Sequence, residues 1–220
     1  MRRTKEDAEK TRCAILQAAE VLFLEKGVSH TSLDAIARQA GVTRGAVYWH
    51  FQNKAELFHE MLNQVRLPPE CMAALLANDS ACDSMSALRN HCVNVIEDLA
   101  RDERKRRIFT ILLYRCEFTE ELREAEERHK AFIKQLIELT ERLFAQAHSR
   151  GLLQPGLTPA LAARTLHALL LGLFIDWLRD PELFDPLQDA RTMVDSLFRG
   201  LLCNRFSTAD TDLCMQAGSG

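Results

Sequence analysis

The stretch that decides the fold runs from Thr31 to Lys54 and reads TSLDAIARQAGVTRGAVYWHFQNK. Its apolar spacing predicts two short helices, 32–40 and 43–51, separated by a tight turn at Gly41-Val42. Residues three or four positions apart share one helix face, and here that face is apolar: Leu33, Ile36, Ala37, Val47 and Phe51. Two short helices joined in this way form a helix-turn-helix.

The outer face and leading end of the second helix suit the major groove of DNA, where such a helix places its N-terminal residues against base edges. Arg44 can bridge a guanine or pair with phosphate, and Gly45 lets the helix approach closely. The predicted DNA contacts also include polar and aromatic neighbours that can reach phosphates, sugars or a thymine methyl group: Thr43, Tyr48, Trp49, His50 and, past the Asn53 cap, Lys54. The alternative is a helical hairpin with exposed aromatic residues, which is unusual for three consecutive positions.

The remainder of the chain has helical periodicity and few strand signals, which predicts an all-α fold. The first helix spans 4–26 and ends at Gly27, and a helix over 53–65 begins with an Asn53 cap and Glu56 in a capping box. Leu67-Pro68-Pro69 is the predicted domain boundary. Beyond it we expect a helix through Leu88 and Leu99, then further helices whose approximate cores or ranges are 108–112, 119–148, 158–179 and 187–203.

The composition is that of a soluble globular chain: 220 residues, 47% hydrophobic, with 28 Lys+Arg against 31 Asp+Glu. The net charge of -3 gives no hint of DNA binding, yet residues 1–66 contain 10 Lys+Arg and 8 Asp+Glu. Seven cysteines, an odd number without a Cys-x-x-Cys pair, favour reduced thiols and a cytoplasmic location. No run of about 18 apolar residues and no secretory signal are recognised, so no membrane span is expected.

Several motifs together resemble the TetR family of transcriptional regulators. The DNA-binding signature of that family is similar to 31–33, 36–37, 40–51 and 53–54. Arg3-Thr4-Lys5-Glu6, Thr11-Arg12 and 115–119 are similar to the AcrR branch, which represses multidrug efflux pumps. The stretches 22–30, 63–70 and 178–180 resemble repressors of resistance-nodulation-division pumps.

The resemblance implies an N-terminal three-helix DNA-binding domain, 1–66, and a larger helical ligand-binding and dimerisation domain, 67–203. The small, polar composition of 204–220 predicts a disordered tail. It implies a homodimer on a near-palindromic double-stranded operator, released by a small amphipathic or aromatic drug. It adds Thr31 to the expected DNA contacts. The alternatives are a regulator of an operon unrelated to efflux, or an activator.

The helix over 158–179 carries apolar residues on more than one face, so it needs partners on more than one side. The final helix carries an apolar stripe that suits a self-complementary contact. The predicted dimer interface comprises Leu170, Met193, Val194, Leu197, Phe198 and Leu201. The alternative is a pair of core helices within a monomer.

A pocket for varied drugs should be mostly apolar with a few orienting polar groups. Polar or thiol side chains on apolar stripes are therefore the candidates, with aromatic and aliphatic walls: Cys92, Phe109, Leu113, Cys116, His129, Phe132, His167, Phe174, Asp176 and Trp177. Each histidine could equally be a satisfied core residue. No metal or cofactor is predicted, since His129, His167 and Cys116 lack ligand-like spacing.

The sequence contains no motif that predicts an enzyme. No phosphate-binding glycine loop or hydrolase motif occurs, and Glu120-Glu121 and Glu126-Glu127 belong to a charged helix, so an enzyme is not expected.

The basic run Arg104-Lys105-Arg106-Arg107 lies among acidic residues, which favours a salt-paired helix face. The alternative is that it transmits the state of the pocket to the DNA-reading domain.

Overall fold

A computed structural model describes residues 5–66 and 81–203. Within these ranges the chain forms nine α-helices and one 3-10 turn, and its β-type pairing is one isolated bridge between Leu153 and Leu202. The predicted all-α fold is confirmed. The predicted break at Leu67-Pro68-Pro69 and the tail 204–220 lie outside the described residues.

The first four helices lie close to their predicted positions: α1 Lys5–Lys26, α2 Leu33–Gln39, α3 Arg44–His50 and α4 Lys54–Asn63. Ser32, Thr43 and Asn53 are the N-caps, and each side-chain oxygen accepts a bond from the backbone N–H three residues later. Gly27 ends α1 with a φ of 84°, a left-handed conformation that glycine adopts without steric cost.

The cap of α4 differs in one detail from the predicted capping box. Asn53 Oδ1 accepts from the Glu56 N–H at 2.7 Å, as expected. The Glu56 carboxylate, however, accepts from the N–H of Gln52 at 2.6 Å, one residue before the cap. The return bond therefore fixes the turn that joins α3 to α4.

The later helices are α5 Ala81–Arg101, α6 Glu103–Tyr114, α7 Arg123–Ser149, α8 Pro159–Arg179 and α9 Pro186–Leu201. A 3-10 turn, Glu120–Leu122, precedes α7, so the helix predicted from 119 begins with a tighter turn. Thr158 caps α8 and Pro159 occupies its first turn, as predicted.

The chain forms two compact units. The N-terminal unit contains Met1–Leu67 and Asp98–Lys134, and the C-terminal unit contains Pro68–Glu97 and Gln135–Gly220. The grouping differs from the predicted division at residue 66, because α6 and the start of α7 belong to the N-terminal unit. Their apolar residues, Ile108, Ile111, Leu122 and Ala125, complete the core formed by the first four helices.

The core of the N-terminal unit fixes the helix-turn-helix. The predicted inner face is buried at Ile36, Ala37, Val47 and Phe51, with Leu33 packed at its edge. Phe23 of α1 meets Phe58 of α4 edge-to-face, with ring centroids 6.0 Å apart. Burial of these side chains, rather than helix propensity, stabilises helices as short as α2 and α3.

The C-terminal unit joins α5 to α9 through a shielded ion pair. Arg89 donates to both carboxylate oxygens of Asp195, at 2.5 and 2.7 Å. Such a two-bond pair fixes geometry as well as adding energy. On the apolar side of α9, Phe198 lies 6.5 Å from Phe144 of α7 between ring centroids.

Helix α8 carries more apolar side chains than the chain buries. Among the described residues it meets the length and hydropathy requirements of a membrane span, although core helices of soluble proteins do so too. Leu161 and Leu171 are exposed on α8, and Leu183 and Leu187 follow in the loop and at the start of α9. Each of these four leucine side chains remains exposed in the chain.

Candidate nucleic-acid interface

Helix α3 exposes most of the side chains predicted to contact DNA. Thr43, Arg44 and Gly45 lie at its exposed N-terminal end. Tyr48 and Trp49 follow, with 45% and 72% of their surfaces exposed. Exposed aromatic side chains of this size are uncommon unless a partner covers them.

Arg44 is held in place by two side chains. Its Nε lies 3.1 Å from Asp34 Oδ1, and its terminal nitrogen donates to the Tyr48 hydroxyl at 3.3 Å. The guanidinium also lies over the Tyr48 ring, 5.4 Å from the centroid. The bond to Tyr48 and then the charge of Asp34 raise the pKa of Arg44, so the exposed side chain is a fixed cation.

Gly45 has no structural requirement for glycine within the chain. An added Cβ would meet one atom within 4 Å, Thr43 Oγ1 at 3.9 Å, and the backbone is helical. The open space lies on the exposed side of α3. This geometry permits the close approach to DNA that the sequence predicted.

His50 occupies the less exposed end of α3. Its ring packs edge-to-face on Trp49, with centroids 4.5 Å apart, and contacts the ring of buried Phe51 at 6.2 Å. The half-buried imidazole thus orients Trp49 in addition to any contact of its own.

Two residues predicted to contact DNA are buried instead. Thr31 donates its hydroxyl hydrogen bond to the Gly27 carbonyl at 2.8 Å, which ties the loop after α1. Lys54 is 4% exposed, and its Nζ donates to the Thr31 carbonyl at 3.0 Å and pairs with Glu121 Oε2 at 2.7 Å. Both predictions are corrected, because these polar groups are used inside the N-terminal unit.

Asp34 is a residue that sequence reasoning missed. It lies ten positions before Arg44, on the other helix of the motif, and its carboxylate orients that arginine. An acidic residue near the start of α2 is also a common helix feature, so the sequence alone carries no signal for this role.

The basic run of α6 is a salt-paired face, as predicted. Arg104 binds the carboxylate of Glu20 at 2.5 Å, Arg107 lies 3.7 Å from it, and Lys105 pairs with Asp98. Glu20 is 1% exposed, so its charge is compensated by the two arginines. This α1–α6 contact lines a polar cleft that includes none of the predicted ligand-binding residues.

The ten predicted ligand-binding residues fall in two units. Phe109, Leu113, Cys116, His129 and Phe132 belong to the N-terminal unit, and Cys92, His167, Phe174, Asp176 and Trp177 belong to the C-terminal unit. Each group is therefore described within its own unit. In the described ranges, no group of three or more His, Cys, Asp or Glu residues is placed to hold a metal ion.

In the N-terminal unit, His129 has a defined partner. Its Nδ1 lies 2.6 Å from a terminal nitrogen of Arg66, and its ring stacks on Phe118. Cys116 packs at the edge of the core, where burial raises its thiol pKa to about 12. Arg66 was missed by sequence reasoning because it follows α4 and meets His129 across 63 positions.

In the C-terminal unit, Phe174 and Trp177 are buried and His167 is half-buried. Burial and then Arg164 lower the pKa of His167, which favours the neutral ring. Burial also raises the pKa of Cys92 to about 12, so its thiol is neutral. Asp176, by contrast, is exposed and pairs with Arg179 at 2.8 Å, about one turn away, so it is corrected to a surface residue of α8.

The predicted dimer residues divide in the same way. Val194, Phe198 and Leu201 are buried within their own unit, so they are corrected to core residues. Leu170, Met193 and Leu197 remain partly exposed. The exposed leucines of α8, Leu161 and Leu171, were missed because a helix that is apolar on several faces does not identify its outer face.

Two family models match the chain. The model for bacterial regulatory proteins of the TetR family matches residues 15–61. The model for the C-terminal region of MAATS-type transcriptional repressors matches residues 83–202. Together they cover the helix-turn-helix and most of the later helices.

Similar proteins are regulators of the same size. The transcriptional regulator TtgR of Pseudomonas putida is 37% identical over 89% of this chain and 93% of TtgR. The crystal structure of NalD, the secondary repressor of the MexAB-OprM multidrug efflux pump in Pseudomonas aeruginosa, is 62% identical, with a TM-score of 0.85 over 90% of this chain and 98% of NalD. A complex of SmeT with triclosan is 33% identical, with a TM-score of 0.79 over 89% of this chain and 93% of SmeT. SmeT is the repressor of the SmeDEF efflux pump in Stenotrophomonas maltophilia.

Proposed function

The chain belongs to the TetR family of bacterial regulatory proteins, and on that premise we propose that it represses a multidrug efflux operon of the resistance-nodulation-division type. The support is the similarity to NalD and SmeT, whose descriptions name efflux-pump repression. The family and the fold are those of transcriptional regulators rather than enzymes.

The single observation that carries DNA binding is the exposed end of α3. Arg44 is an exposed cation that is oriented by its ion pair with Asp34, and Gly45 leaves space for DNA to approach the helix closely. The exposed side chains of Tyr48 and Trp49 follow on the same helix. In the proposed complex Arg44 reads a base edge or binds phosphate, while Thr43, Tyr48, Trp49 and His50 contact the sugar-phosphate backbone. Residues 1–66 thus form the DNA-binding domain, although α6 packs with it.

Two copies of the chain are required for operator binding in this proposal. The uncovered leucines of α8, with Leu170, Met193 and Leu197, form the self-complementary surface, and residues 67–203 carry it. A two-fold dimer would place its two α3 helices about 34–36 Å apart on a near-palindromic site in cytoplasmic DNA. Because the net charge of residues 1–66 is small, one DNA-binding domain alone would bind DNA weakly, and tight binding needs the DNA-binding domains of both subunits.

The ligand is a small aromatic or amphipathic drug whose binding releases the operator. The triclosan complex of SmeT supports this class of ligand. In this proposal the buried rings of Phe174 and Trp177 supply apolar walls, and His167 of the same helix supplies one polar group.

The test is an electrophoretic mobility shift with the upstream regions of neighbouring operons, at fixed salt, with and without a panel of drugs that includes triclosan. We expect one upstream region to be shifted and the shift to be reversed by at least one drug. If no region upstream of an efflux operon is bound while another operator is, the chain regulates a different process. An operator upstream of, rather than overlapping, the promoter would identify an activator instead.

A further inference from the structure

Arg66 lies directly after α4 at the centre of a small cluster of rings. Its terminal nitrogen contacts His129 Nδ1 at 2.6 Å, and another nitrogen donates to Asn63 Oδ1 at 3.3 Å. Its guanidinium lies over the Phe132 ring, 4.6 Å from the centroid. The His129 ring is nearly parallel to Phe118, at an angle of 14° and a centroid distance of 6.4 Å.

Within residues 5–66 and 81–203, no carboxylate forms an ion pair with the cation of this cluster. The partners of Arg66 are an imidazole, an amide and an aromatic face. The neighbouring acids are engaged elsewhere, Glu60 with Arg12 and Glu124 with Arg128. Burial lowers the pKa of Arg66 to about 10, which indicates a cation that has lost much of its hydration.

The side chains of the cluster are partly accessible to a ligand. Arg66, His129, Phe118 and Phe132 are all half-buried rather than enclosed. The rings offer flat apolar surfaces, and the arginine offers a planar fork that matches the two oxygens of a carboxylate. Because an arginine binds a carboxylate through two charge-assisted bonds, an anionic ligand would be a stronger partner than the single imidazole nitrogen.

We propose that Arg66 and His129, with the rings of Phe118 and Phe132, form a binding subsite for an aromatic ligand that carries a carboxylate group. The carboxylate takes the Arg66 guanidinium from His129, and the aromatic body of the ligand packs on the two phenylalanine rings. The inference rests on the proposed function, since it assigns this ligand class to the regulator's inducers. It deepens that function by adding a preference for ligands with an anionic group, which apolar walls alone would not provide.

The test compares 2-naphthoate with 2-naphthamide, two probes of the same shape that differ in charge. Titration calorimetry with the full chain should give a dissociation constant for the acid about tenfold lower than for the amide. Arg66→Met should remove this preference, and Arg66→Lys should keep part of it, because the charge remains without the fork. Arg128→Met is the matched control: it removes an exposed arginine one position from His129 and should keep the full preference.

Circular dichroism and the melting temperature establish that each variant is folded. If Arg66→Met does not fold, the comparison of Arg66→Lys with the parent protein decides the test. Equal affinity for acid and amide in the parent protein, or an unchanged preference in Arg66→Lys and Arg66→Met, overturns the subsite. Operator release is measured in parallel with both probes and triclosan. If triclosan releases the operator but the protein shows no preference for the acid, the subsite is rejected and the proposed repressor function stands. If the protein prefers the acid but no compound releases the operator, the subsite stands and the proposed drug response is rejected.

Discussion

The guanidinium of Arg44 is anchored to the carboxylate of Asp34, with Nε 3.1 Å from Oδ1. The pair joins the two helices of the motif on their exposed side, and the Tyr48 hydroxyl completes it. An arginine already restricted to one orientation loses less side-chain entropy when it binds. The pair thus prepares Arg44 for a contact outside the chain.

Arg44→Ala should raise the operator dissociation constant about 10- to 100-fold, since a bidentate base contact is worth about 1–3 kcal/mol. Fluorescence anisotropy with a labelled operator at fixed salt measures this. Arg123→Ala, which removes an exposed arginine from the start of α7, is the matched control and should bind normally. Normal binding by Arg44→Ala would place DNA recognition elsewhere.

Gly45→Ala should separate stability from DNA binding. An added methyl group relieves the backbone entropy cost of a helical glycine, so the free energy of unfolding should rise by about 0.5–1 kcal/mol. Operator affinity should nevertheless fall, because the methyl group occupies the space through which α3 approaches DNA. Gly200→Ala in α9 offers a control, since it is also a helical glycine and its added Cβ would meet nothing within 4 Å. An operator affinity of Gly45→Ala equal to the parent's would contradict the close approach.

Lys54→Met should destabilise the N-terminal unit without acting as a phosphate contact. The partly buried Ser29 carbonyl and the buried Thr31 carbonyl lose their donor and Glu121 loses its partner, at a cost of about 1–3 kcal/mol. Urea unfolding measures the loss, and Lys130→Met, at an exposed position paired with Glu126, should stay within about 0.5 kcal/mol of the parent. If Lys54→Met is folded and its operator binding releases about one counterion fewer than the parent's, the original prediction that Lys54 contacts a DNA phosphate would be correct.

His59 should make stability depend on pH. Burial, then Arg66 and Arg128, lower its pKa from the ordinary 6.5. As the pH falls below 6.5, the unfolded chain takes up a proton that the folded chain does not, so the free energy of unfolding declines until the pH reaches the lowered pKa. His59→Gln should therefore show a smaller decline between about pH 7.5 and about pH 5 in urea unfolding. His30→Gln, at an exposed position, should follow the parent; an identical decline in His59→Gln would contradict the role of burial.

Leu171→Glu should disrupt the dimer. The side chain is exposed on α8, and a carboxylate placed in an apolar interface would lose its hydration without a partner. Light scattering after gel filtration should report the 25.0 kDa chain mass instead of twice that value. Ala145→Glu, at an exposed position of α7, should remain a dimer. A dimeric Leu171→Glu would place the interface on another surface.

The features predicted well from sequence are the local ones. The caps at Thr43, Asn53 and Thr158 depend on residues three positions away, and the helix-turn-helix core depends on spacings within one helix. Both are therefore present in the sequence as short patterns.

The features predicted wrongly depend on distant residues. Lys54 resembles an exposed cation until Glu121, 67 positions later, supplies its partner. Val194 and Phe198 form a stripe that could face a second subunit, and only the position of Phe144 assigns it to the core. For Asp176, the sequence did not indicate whether its face of α8 is buried or exposed, because apolar residues occur on several faces of that helix.

The grouping of α6 and the start of α7 with the N-terminal helices determines where this regulator can be cut to make chimeras. Residues 1–66 transplanted alone would leave the patches on Leu22, Phe23 and Phe58 without the α6 side chains that share their core. The Val28 N–H would also lose its bond to the Arg115 carbonyl. A functional graft therefore needs three junctions, near residues 67, 98 and 134, so that the sensor of another regulator is inserted as a discontinuous module.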